Sequence, residues 1–97
     1  MKIGVPKEIK NNEFRVSLTP ASVRNLVDRS HEVYVQSMAG DAIGFTDNDY
    51  HDAGAVILNS AKEVFDSATL IIKVKEPMPE EFQYINEKHT LFTYLHL

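Results

Sequence analysis

The chain has 97 residues, 43% of them hydrophobic and 25% charged, with a formal net charge of -4, which suits one small globular domain. Its 10 basic residues are scattered rather than gathered into a stripe, so nucleic acid is not an expected partner, and with no cysteine it has neither a disulfide framework nor a thiolate zinc site. Met1–Pro6 lacks the apolar core of a signal peptide and no apolar stretch approaches the ~20 residues of a membrane span, which makes the cytoplasm the default location and leaves no membrane partner.

Ile3 and Val5 alternate with Lys2 and Gly4, a strand pattern that Pro6 ends because it has no amide hydrogen to continue a ladder. Lys10-Asn11-Asn12-Glu13 has turn composition, and Phe14-Arg15-Val16-Ser17-Leu18 alternates apolar with polar side chains as the chain re-extends. Thr19 before Pro20 predicts a helix start, since the hydroxyl accepts an orphan amide hydrogen and proline loses nothing in the first turn. Val23, Leu26 and Val27 form the inward stripe of that helix. Glu32 to Ser37 alternates around Val33 and Val35 as a second strand, with Gly40 in the loop that leaves it. Thr46 caps a short helix that ends near Gly54.

Ala55-Val56-Ile57-Leu58 is an apolar run whose length favours a buried strand. Ser60 and Glu63 have capping-box spacing, which predicts a helix to about Ala68. Thr69 to Val74 is rich in β-branched residues, as in a strand covered on both faces, and Pro77 ends it. Pro79-Glu80-Glu81 begins another helix, with Phe82 and Ile85 facing inward, and Thr90 to Leu95 is the last strand. This alternation predicts an α/β fold built on an open, mainly parallel sheet with short flanking helices. Because His96 and Leu97 follow the last strand directly, where a parallel sheet needs a crossover, the sequence is expected to be part of a longer chain.

In open α/β sheets, ligands bind outside the carboxyl ends of the strands. Lys75 lies just past the end of the fourth strand, His96 just past the fifth, and Arg15 in the segment after the loop that leaves the first. Singly, each has a bland reading as a solvated loop residue or half of a surface ion pair. Together they offer a planar cation, a point cation and a group that titrates near neutrality, a set suited to a small carboxylate substrate undergoing proton transfer. His31 and His89 precede strands and His51 sits in a polar helix, so all three read as structural or solvated. Asp47, Asp49 and Asp52 read as the first turn and polar face of a helix rather than as metal ligands. No Gly-x-Gly-x-x-Gly occurs, so no dinucleotide site is visible in these residues.

Gly4-Val5-Pro6-Lys7-Glu8, then Asn11-Asn12-Glu13-Phe14-Arg15-Val16 and Leu18-Thr19-Pro20, resembles the opening of alanine dehydrogenases. Lys73-Val74-Lys75-Glu76-Pro77 and Leu91-Phe92-Thr93-Tyr94-Leu95-His96-Leu97 resemble that family's next two blocks. Transhydrogenase α-subunits and saccharopine dehydrogenases share the layout, but Lys75 and His96 together favour the amino-acid enzyme; a non-catalytic amino-acid-binding α/β module is the alternative from another class. The resemblance implies that residues 1–97 are the N-terminal part of a Rossmann-like substrate-binding domain. It implies reversible NAD-dependent deamination of L-alanine to pyruvate and ammonia, with Arg15 and Lys75 binding substrate and His96 as acid/base. It also implies a homohexamer whose NAD-binding Rossmann domain lies outside these residues, so the 97-residue chain alone is expected to be inactive.

Overall fold

A computed structural model describes residues 1–94. The expected strand end at Leu95 and the His96 position lie outside the described residues.

Among the described residues, five strands alternate with short helices. The strands are β1 (Lys2–Val5), β2 (Glu32–Gln36), β3 (Val56–Leu58), β4 (Leu70–Lys73) and β5 (Thr90–Thr93); the α-helices are α1 (Pro20–Asp28), α2 (Asp47–Asp52) and α3 (Ala61–Ser67). Every strand pair is parallel, in the order β3-β2-β1-β4-β5. The sheet is thus parallel throughout, not only in the main, and β1 lies at its centre. From β1 the chain moves to β2 on one side, then returns to β4 on the other. The loops after β1 and β4 therefore part company at the switch point between those two strands, where α/β sheets bind ligands.

Local chemistry fixes the helix starts. The Thr19 hydroxyl accepts the Ser22 amide with Pro20 in the first turn. Thr46 and Asp49 form a reciprocal capping box. Ser60 accepts the Glu63 amide, while Glu63 turns its carboxylate to the Ser60 hydroxyl at 3.0 Å rather than to an amide. Each bond from an amide satisfies a backbone donor that the helix start leaves without an intrahelical partner.

Two apolar clusters cover the sheet. Val5, Val33 and Val35 join Val23 of α1 and Tyr50 of α2, with Leu26 and Val27 packed beside them; Phe65, Ala68 and Ile71 form the second cluster with Tyr84 and Ile85. Gly4 allows α3 to close on β1: a Cβ there would stand 2.8 Å from Ala68 Cβ and 2.9 Å from Val64 Cγ1.

Three expectations change. The apolar run at Ala55–Leu58 is not a buried strand: β3 lies at the edge of the sheet with Val56 exposed. Pro79–Tyr84 is a 3-10 helix, not an α-helix. Phe82 points outward, 60% exposed, and Glu81 takes the inward place. The reason is electrostatic: Glu81 meets the ammonium of Lys73, buried on the same face as Ile71, at 3.2 Å, and its other oxygen accepts the Met78 amide. A buried cation needs anions around it, and that requirement outweighs the burial of a phenyl ring.

Candidate functional site at the switch point

Residues 6–19, which leave β1, have no regular structure, yet bonds along their length hold them. The Lys7 amide donates to Gln36 Oε1, the Ser17 hydroxyl to the Ile72 carbonyl, and the hydroxyl of the fully buried Tyr50 to the Leu18 carbonyl. Tyr94, after β5, donates its hydroxyl to the Ser17 carbonyl and its amide to the Lys73 carbonyl. The loop is therefore stitched across the ends of β2, β4 and β5 together. Such cross-links give an irregular backbone the fixed geometry that a site needs.

Glu8 is the deepest of these anchors. Its carboxylate accepts the Lys73 ammonium and the Lys75 amide with one oxygen and the Val74 amide with the other. Lys73 lies between Glu8 and Glu81, all three nearly sealed from solvent. This network fixes the backbone that carries Lys75. Beside it, Lys10 pairs with Glu76 at 2.9 Å and ties the two loops again at the surface.

The turn at residues 10–13, closed by the Glu13 amide on the Lys10 carbonyl, has Asn12 at φ +64°, a left-handed conformation that asparagine tolerates. It delivers Glu13 beneath Arg15. One Glu13 oxygen accepts the Arg15 amide and Nε, and the other accepts Nη2 at 2.9 Å. The same carboxylate lies 4.0 Å from Lys75 Nζ, a charge contact too long for a hydrogen bond. The Glu13 side chain is only 4% exposed, whereas that of Arg15 is 61% exposed. The hydrogen bonds from Arg15 hold the Glu13 carboxyl down at about 2, against an opposing effect of burial, and the same pair raises Arg15.

Arg15 and Lys75, the two cations singled out in the sequence, thus converge on one anion at the switch point. His96 is the third, and it lies outside the described residues. His89 hydrogen-bonds the Phe65 carbonyl and packs edge-on against its ring, while His31 lies at the opposite end of the sheet beside the N-terminus. His51 is exposed. Among the described residues no cluster of His, Asp or Glu could hold a metal ion, and no helix is long and apolar enough to cross a membrane.

Sequence reasoning missed Glu8, Glu13, Lys73 and Glu81. Only Glu13 left a local signal, two residues before Arg15; the other three are joined across more than sixty residues or across an element boundary.

A family model described as alanine dehydrogenase/PNT, N-terminal domain, matches residues 4–97. The chain is 58% identical to an alanine dehydrogenase of Methanococcus maripaludis over all 97 residues, which make up 26% of that protein. Among solved structures it matches an L-alanine dehydrogenase with a TM-score of 0.94 and 52% identity, covering 99% of this chain and 26% of that one. A transhydrogenase from Sinorhizobium meliloti matches with a TM-score of 0.88 and 25% identity, covering 98% of this chain and 28% of that one. The chain spans about a quarter of the length of the curated relatives it matches.

Proposed function

The chain belongs to the alanine dehydrogenase/PNT N-terminal domain family, and from that premise we propose that it is the substrate-holding part of an NAD-dependent alanine dehydrogenase interconverting L-alanine with pyruvate and ammonia. The observation that carries this reading is the meeting of Arg15 and Lys75 at the switch point.

Glu13 engages Arg15 through Nε and Nη2, and nothing among the described residues pairs with Nη1. The Nη1–Nη2 end is therefore available to grip a substrate carboxylate with two parallel bonds. That grip orients the α-carbon and supplies the proximity part of catalysis. Lys75 helps hold the carboxylate and polarises the carbonyl of pyruvate. His96 moves protons at the substrate nitrogen and oxygen as the imine adds water, work suited to a group with a pKa near neutrality.

The β1–α1 connection does not fit NAD. Segment 6–19 contains no glycine and separates β1 from α1 by fourteen residues, so it is not the tight phosphate-cradling turn of a dinucleotide site. The nicotinamide would be held by other residues of a longer protein, assembled as a cytoplasmic homohexamer, and the 97-residue chain alone would be inactive. The test is to express the full-length protein carrying this sequence and follow NADH formation with alanine and NADH consumption with pyruvate and ammonium. Saturable turnover in both directions is expected, and a protein inert in both overturns the reading.

A further inference from the structure

Glu13 stands at the rim without a task in substrate binding. Its side chain is sealed beneath two cations, both its oxygens are engaged by Arg15, and Lys75 lies 4.0 Å away. Of the neighbouring charges, Lys10 pairs with Glu76, whereas Lys73 is shared by Glu8 and Glu81, so that buried group carries one surplus negative charge and offers no cation to a ligand. Arg15, Lys75 and Glu13 taken by themselves carry one net positive charge at the open end of the guanidinium.

We propose that Glu13 is a specificity-determining residue: its fixed negative charge matches the rim to ligands with a single carboxylate and rejects those carrying a second. This rests on the reading that Arg15 and Lys75 hold a 2-oxo or amino acid. A second carboxylate entering the rim would be repelled by the charge of Glu13 beneath the two cations, and unfavourable like charges discriminate between ligands of similar shape. Glu13 also fixes the guanidinium from the side, so its loss costs orientation as well as selectivity.

The experiment uses the full-length protein and three 2-oxo acids: pyruvate, oxaloacetate as the dianion, and 2-oxopentanoate as a singly charged acid of similar length. In Glu13→Gln, kcat/KM for oxaloacetate relative to 2-oxopentanoate is expected to rise by about ten- to a hundredfold, the effect of one removed charge at close range in a partly screened site. Glu13→Asp keeps the charge and should keep the wild-type ratio even where KM rises. An unchanged ratio in Glu13→Gln, or an equal shift in Glu13→Asp, overturns the proposal. If Glu13→Gln does not fold, calorimetry on the unsubstituted protein decides: malonate binding no tighter than propanoate supports the proposal, and malonate binding about tenfold tighter or more overturns it. Failure of the dehydrogenase reading looks different, because the unsubstituted protein would then aminate no 2-oxo acid.

Discussion

Arg15 and His96 should fail in different ways when replaced. Arg15 holds a carboxylate that is charged throughout the reaction, so its contribution belongs mainly to ground-state binding. Arg15→Lys keeps the charge but loses both the substrate fork and the grip on Glu13. One charge-assisted hydrogen bond is worth about 1.5–3 kcal/mol, so the Michaelis constants for alanine and pyruvate should rise roughly ten- to a hundredfold with turnover little changed. His96→Ala should instead lower turnover by roughly 10²–10⁴-fold and flatten the near-neutral limb of the pH profile. Steady-state kinetics separate the two; near-normal turnover in His96→Ala would shift the proton-transfer role to Lys75. Glu13 gives a third prediction, on stability. Its carboxyl is depressed from 4.5 to about 2 by Arg15, so its contribution is fully present above 4.5 and fades as the pH falls towards 2. The difference in unfolding free energy between wild type and Glu13→Gln should close over that window, while a gap constant with pH would show that the carboxylate adds nothing by its charge.

At the scale of elements, α3 packs closely on β1, and Gly4 makes that contact possible. Gly4→Ala places a methyl group against Ala68 and Val64, backbone-proximal atoms with little room to yield. Overpacking of this kind typically costs about 1–3 kcal/mol. Denaturant unfolding should show that loss, and an unchanged midpoint would mean that α3 slides away at no cost. The helix starts were legible because caps are local chemistry: Thr19-Pro20, Thr46 with Asp49, and Ser60 with Glu63 all lie within one turn of the amides they serve. The inward face of Pro79–Tyr84 was not. Apolar spacing selected Phe82, but the buried Lys73 draws Glu81 inward instead, and a partner contributed by another strand leaves no trace in a helix's own periodicity.

For the molecule as a whole, β5 is an edge strand with Leu91 and Phe92 exposed, and Tyr94 is exposed just beyond it. A row of unpaired amides and carbonyls flanked by apolar side chains templates further pairing. The 97-residue chain produced alone is therefore expected to self-associate, with a sedimentation coefficient that rises with concentration and falls back in Phe92→Lys; a single concentration-independent species would count against it. The sequence by itself determined the alternation of strands and helices, and with it a parallel sheet whose strand ends carry Arg15 and Lys75. Both follow from patterns that repeat within a few residues. Only the tertiary structure decided that β1 and β4 are neighbours, and therefore that the loops behind them share one rim. It alone buried Lys73 between Glu8 and Glu81 and set Glu13 under both cations. Strand order and charge pairing depend on groups brought together from distant parts of the chain, and no local spacing records which of them will meet.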